Sequence, residues 1–437
     1  MRQFFLKDKL VKNSVILSLG VLIAGVFGYF FQFVISRRLT VAGYGEFQSL
    51  NSLFLTTGAV ASMLTYLFLK FFPVFWKAQD FASNRAFMDW VKAKINKGIL
   101  VYFALLLVLT PFIALTLHLS GYYGLIFIII ASLGGIYTSI YSSALTGWEH
   151  FLPVGLAGII GAAGKLIAGY VIVLFFPTAS AVLFSFVIGS AVGLLSYILF
   201  YKRYFPNGDE KIEDTHNGDW QKKYYAKFNF RREMRHVFIF TLLMILLGNV
   251  DIFLVKSLTS AELTGFYGAL HTLGTVILTL NGAVIASVLP SVYAAGHEGQ
   301  RAALKTVLFA YGAIAVISAG GSLLFAVFPG LVVHMLFGAK YLSVANDLWL
   351  FGPLTFFLSI LTLEANFAYA RHLYGVSFAL LATIALAASG VALFHNSIRE
   401  IALATTAAFA GGYVLILCLN LLSGKKRFLE AQPIVGI

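Results

Sequence analysis

Lys165 is a charged residue inside one of the most apolar stretches of the chain. It follows Gly155, Gly158, Gly161 and Gly164, a glycine at every third position. In a helix Lys165 shares a face with Gly161 and Gly158, four and seven residues earlier. Small residues on one face let a neighbouring helix approach closely, which would point the lysine into protein rather than lipid. A cation held there can offset an anionic group such as a phosphate. A buried salt bridge to Asp251 and snorkelling to the membrane surface are the competing accounts.

Asp251, in Gly248-Asn249-Val250-Asp251, is the acidic counterpart within a later apolar run. It could exchange a proton or cation and so couple movement to an ion gradient, or it could be a packing salt bridge. Lys256, about a turn and a half further on, and Glu364, in Leu363-Glu364-Ala365-Asn366, join it as candidate coupling or gating residues. Glu364 sits nearer the cytoplasmic end of its run, where an ordinary interfacial glutamate is the competing reading. Arg37 and Arg38, at the outer end of the first run, are candidate phosphate contacts or interface anchors. His118, His271 and His334 have no ligand spacing, and Cys418 is the single cysteine, so neither a metal site nor an internal disulfide is expected. No nucleophile elbow or nucleotide-binding glycine loop stands in a convincing context, and without a Walker-type loop the chain does not power itself with ATP. No catalytic residue and no cofactor is assigned, and an enzyme is not the expectation.

The elements that must position these residues follow from composition. Apolar residues make up 59% of the chain and charged ones 11%, against roughly 25% charged in a soluble domain. The apolar residues come in runs of roughly 20, the length of a membrane-crossing helix. The chain therefore reads as an all-α polytopic membrane protein with about twelve spans. They lie near 14–36, 47–69, 98–118, 122–146, 154–176 and 180–200, then 236–255, 264–289, 306–328, 348–370, 373–394 and 401–422.

Charge placement orients these spans. Of 31 basic residues, 25 fall in segments that are cytoplasmic if the N-terminus is inside. Arg37, Arg38, Lys256, Lys340 and Arg399 fall in external segments or at the membrane's outer edge, and Lys165 lies within a span. That is the positive-inside pattern, so the charge of +13 reflects topology rather than nucleic-acid binding, with anionic lipid headgroups as a secondary partner. Both termini are expected in the cytoplasm, and the first run reads as a retained span, too long for a signal core.

Residues 201–235, with nine basic and six acidic residues, form a polar linker between an N-terminal lobe (1–200) and a C-terminal lobe (236–437, with a short cytoplasmic tail). Six spans per lobe make the two halves parallel repeats. Each carries a copy of one element: Leu39-Thr40…Gly43-Tyr44-Gly45, and Leu258-Thr259…Gly265-Phe266-Tyr267-Gly268. Both copies are expected outside, as an outer hinge of each lobe.

These residues resemble a known family. Asn13-Ser14, Ser36-Arg37-Arg38-Leu39 and Gly43-Tyr44-Gly45 look like the start of the bacterial polysaccharide/O-antigen flippases, of the multidrug/oligosaccharidyl-lipid/polysaccharide exporter superfamily. Asn249–Val255, Gly265–Ala269 and Leu336-Phe337-Gly338-Ala339-Lys340-Tyr341 are similar to its second half. The resemblance implies two six-helix lobes around a central, partly cationic cavity in the bacterial inner membrane. The implied cargo is a polyprenyl-pyrophosphate-linked oligosaccharide moved outward by alternating access. Lys165 matches a fifth-span basic position, Asp251 a seventh-span acidic one, and Arg37 and Arg38 the basic position before the turn. A polysaccharide polymerase or glycosyltransferases are candidate partners. Two rivals stand beside this: a drug or cation antiporter of the same superfamily, and a membrane glycan polymerase or ligase, which the short external segments disfavour.

Overall fold

The structure is a computed structural model that describes residues 2–205, 230–298, 300–371 and 373–423. Most of the 201–235 linker lies outside the described residues. Every regular element among those described is a helix. Eleven are long and apolar enough to cross a membrane, and a pair bent by 54° makes the count up to twelve. The all-helical, roughly twelve-span expectation holds. The chain divides into two compact units: Met1–Leu39 with Leu53–Thr241, and Thr40–Ser52 with Leu242–Ile437.

The first unit contains α1 (Arg2–Arg38), α3 (Ala59–Lys77), α4 (Phe81–Thr116), α5 (Tyr123–Gly147), α6 (Phe151–Phe175) and α7 (Ala179–Tyr204). Its core is aromatic: Phe68, Phe72 and Phe75 of α3 surround Phe87 of α4, with ring centres 5.4–6.3 Å apart. Asp80 starts α4 by accepting the Ser83 N–H at 3.0 Å, a side-chain cap for an otherwise orphaned donor. At its far end His118 takes a left-handed φ of 45°, and the Leu119 N–H closes back on the Ala114 carbonyl, the usual way to stop a helix. His118 thus has a structural role. At 36 residues α4 is about 54 Å long, well beyond a bilayer core of about 30 Å. Its N-terminal turns, with Arg85, Asp89, Lys92 and Lys94, form the excess.

The second unit holds most of α2 (Val41–Thr57), α9 (Val250–Leu258), α10 (Ala261–Glu298), α11 (Gln300–Val327), α12 (Pro329–Leu336), a 3-10 segment (Ala339–Leu350), α13 (Phe351–Ala370), α14 (Val376–Leu393) and α15 (Ile398–Ser423). Between the linker and α9 runs α8 (Phe230–Leu247). The expected single span 236–255 is in fact α8 and α9, broken at Gly248-Asn249. Both residues are weak helix formers, and the Asn249 side chain donates to the Ile245 carbonyl at 2.8 Å. Span 2 likewise starts earlier than expected, at Val41, and is interrupted at Gly58. The run at 348–370 is preceded by the 3-10 segment, so that span begins nearer Ala339.

The two copies of the repeated element fold alike. Thr40 caps α2 by accepting the Gly43 N–H at 3.0 Å. Ser260 caps α10 by accepting the Leu263 N–H at 3.2 Å. Within the second unit these helix starts cross at glycine. A Cβ on Gly45 would lie 2.6 Å from the Gly265 nitrogen and 3.0 Å from the Ala261 carbonyl oxygen, and a Cβ on Gly265 would strike the Val41 carbonyl. Position 41 thus faces 265, and 45 faces both 261 and 265. One turn on, Gln48 donates to the Gly268 carbonyl at 3.2 Å and to Thr272, whose hydroxyl also meets Tyr44 at 3.2 Å.

Candidate functional site

Lys165 sits where α6 crosses α7. The glycine stripe does what small residues do at a helix contact: a Cβ on Gly161 would lie 3.1 Å from the Gly193 Cα, and one on Gly189 would lie 2.6 Å from the Lys165 Cβ. The backbones are therefore close, and the lysine leaves the crossing sideways. Its Nζ lies 4.9 Å from the centre of the Phe31 ring and 4.8 Å from that of Phe186. Phe186 is itself braced by Phe31 and by Phe54, at 5.7 and 5.0 Å. Among the described residues Lys165 is in no ion pair. A lysine at the centre of a membrane helix costs about 2.5–3.5 kcal/mol, and two ring contacts of about 0.5–2 kcal/mol each offset much of that. The lysine is half-buried, positioned, and still carries an unneutralised charge.

Asp251 is 2% exposed and lies in the first turn of α9, directly after the break. There the positive end of the helix favours a carboxylate. The Tyr267 hydroxyl donates to its Oδ2 at 2.7 Å, the Ile252 N–H to its Oδ1 at 2.9 Å, and His271 Nε2 lies 3.6 Å from Oδ2. The site thus joins a carboxylate, a phenol and an imidazole across the tight corner between α9 and α10. Lys256, in the last turn of the same nine-residue helix, is also buried, with Glu46 of α2 as its acidic neighbour.

Glu364 is buried against other helices of its unit. It is 5% exposed within α13. The Tyr311 hydroxyl of α11 donates to its Oε1 at 2.5 Å, and Asn420 of α15 donates to its other oxygen and, at 3.1 Å, to its carbonyl. It ties three helices together and lies 13 residues, about 20 Å, along α13 from Phe351, whose ring meets Tyr267 at 5.3 Å. Glu364 and Asp251 are therefore separate sites. Arg37 and Arg38 are exposed in the last turn of α1, where the helix dipole favours cations.

Sequence reasoning picked out the charges and missed the partners. Tyr267 stood in the repeated element and carried a signal there. His271 was noted only for lacking metal-ligand spacing, and Tyr311 and Asn420 carried no signal, since they meet Glu364 from distant helices. Replacing Asp251 with Asn preserves shape and removes the charge. On the reading that Asp251 couples transport to an ion gradient, ion-driven transport in membrane vesicles should fall about tenfold, within ordinary coupling energies, while thermal unfolding stays near that of the parent. Unchanged transport in a weakened fold would instead make Asp251 purely structural.

No protein-family model matches the sequence, and no curated protein sequence matches it either. Solved structures do resemble it. An inward-facing multidrug resistance MATE family transporter of the MOP superfamily matches with a TM-score of 0.68 at 13% identity, over 95% of this chain and 99% of that one. The MATE multidrug transporter DinF-BH matches with a TM-score of 0.66 at 13% identity, over 95% of each chain. The lipid II flippase MurJ, in an inward closed conformation, matches with a TM-score of 0.62 at 14% identity, over 92% of this chain and 87% of that one. The chain has the fold of MOP-superfamily transporters. At such low identity the likeness is one of fold, shared by multidrug transporters and a lipid II flippase alike.

Proposed function

We propose that the protein is a flippase of the bacterial inner membrane that moves a polyprenyl-pyrophosphate-linked oligosaccharide from the cytoplasmic to the outer leaflet by alternating access, driven by an ion gradient. The observation that carries this reading is Lys165, a cation inside a membrane span, held between two rings and in no ion pair among the described residues. Such a group suits an anionic cargo. A sugar pyrophosphate cannot cross hydrocarbon unaided, because its polar groups would lose water without replacement partners. The family resemblance of the sequence points the same way, and the fold likeness to the lipid II flippase is compatible with it. In this reading Arg37 and Arg38 contact phosphate on the exit side, Asp251 couples the cycle to ions, and Lys256 and Glu364 stabilise or gate its states. Surface-glycan polymerases and glycosyltransferases are the natural neighbours of such a step.

A cation or drug antiporter is the second reading, favoured by two buried carboxylates, Asp251 and Glu364. Both already accept from protein donors, which leaves less capacity for a cationic drug. A clean gene deletion separates the two. The flippase reading expects lipid-linked oligosaccharide to accumulate in the inner leaflet and surface polysaccharide to disappear. Normal surface glycan together with new sensitivity to cationic dyes would establish the antiporter.

A further inference from the structure

The first unit has a second charged feature that the transport reading does not use. Arg85, Asp89 and Lys92 on α4 and Tyr201, Lys202 and Phe205 at the end of α7 line a cavity of about 440 Å³. Residues 85, 89 and 92 are spaced to share one face of α4, on the part of that helix that exceeds the bilayer. The cavity floor is aromatic: Tyr201 stacks on Phe205 at 5.4 Å and meets Tyr141 and Trp148 at 5.2 Å each. The cations rest on this floor. The Arg85 guanidinium lies 5.6 Å from the Phe205 ring centre, and Lys92 Nζ lies 5.4 Å from that of Tyr141. Three cations face one carboxylate, and among the described residues none of the three is in an ion pair.

We propose that this cavity captures the pyrophosphate and first sugar of the lipid-linked cargo at the cytoplasmic face, before translocation; this rests on the flippase reading. Arg85, Lys92 and Lys202 hold the pyrophosphate oxygens, with the planar guanidinium able to bind two at once. The apolar face of the sugar packs on Tyr201 and Phe205, and Asp89 accepts from its hydroxyls. The carboxylate and the ring floor distinguish such a site from a surface for ordinary phospholipid, which needs only positive charge. The volume accommodates a disaccharide-sized headgroup but no lipid chain, which stays in the bilayer beside α4.

The test uses the full chain in phosphatidylcholine nanodiscs, titrated calorimetrically with N-acetylglucosamine pyrophosphate bearing a geranyl chain. The parent should bind. The triple variant Arg85→Gln, Lys92→Gln, Lys202→Gln should bind at least about tenfold more weakly, since each cation removed takes away a charge-assisted contact to the pyrophosphate. Arg85→Lys in the parent should lose less than Arg85→Gln. Asp89→Asn should narrow the preference for the sugar probe over inorganic pyrophosphate. Thermal unfolding checks that these surface variants fold. No binding by the parent, or equal binding by the folded triple variant, overturns the proposal. So does displacement by phosphatidylglycerol as effective as by unlabelled probe, which would leave an anionic-lipid surface only. The gene-deletion phenotype involves none of these residues: a deletion with normal glycan removes the flippase reading, whereas unchanged binding by the triple variant removes only the capture site.

Discussion

On the proposed flippase reading, replacing Lys165 with Gln is expected to lower export of surface glycan by at least about tenfold while leaving the amount of folded protein unchanged. The first half follows from charge. A pyrophosphate passing Lys165 would lose a charge-assisted contact worth about 1.5–3 kcal/mol, and 1.4 kcal/mol is already tenfold. The second half follows from packing. The lysine's partners are the faces of Phe31 and Phe186, which also contact each other at 5.7 Å, so the rings stay supported without it. Removing an unneutralised membrane charge also relieves its desolvation. Surface-glycan staining beside an immunoblot of membranes reads both halves. Export at parental levels would take Lys165 out of the transport path, and a loss of protein with no separate transport defect would make it a packing residue.

The second large effect is expected at the crossing of the repeated elements. Gly265→Val should cost about 3 kcal/mol, the upper end for overpacking, because the new Cβ meets the Val41 backbone carbonyl rather than a movable side chain. Gly45→Val should behave similarly, against the Gly265 nitrogen. Gly25→Ala and Gly282→Ala serve as controls, since a Cβ at either would meet nothing within 4 Å. Folded yield and unfolding temperature in detergent are the readouts. Equal stability of Gly265→Val and the two controls would show that the helices part easily there.

The membrane class and span count were legible because long apolar runs leave the chain few other options. Lys165, Asp251 and Glu364 were legible for the same reason, as charges stand out in such runs. What each charge touches was not. Glu364 looked interfacial in its run, and only the approach of α11 and α15 buries it. The break at Gly248-Asn249 was hidden because hydropathy continues through it, although two weak helix formers side by side were the available sign. The repeat was visible, but its register was not. Matching Tyr44-Gly45 with Tyr267-Gly268 aligns letters, whereas the caps at Thr40 and Ser260 set the copies 220 apart, the separation of Gln48 and the Gly268 carbonyl it bonds.

That register bears on how the second unit can move. The start of α10 is pinned to α2 by backbone contact at Gly265 and by the side chain of Gln48. Only Thr259 and Ser260 separate α10 from α9, so α9 has little slack of its own. The first turns of α10 are thus closely packed within this unit, and the break in helical structure lies upstream, at Gly248-Asn249. Asp251 stands two residues beyond that break, with Tyr267 and His271 on the pinned side. The carboxylate therefore ties the residues just after the break to α10, through the Tyr267 hydroxyl at 2.7 Å.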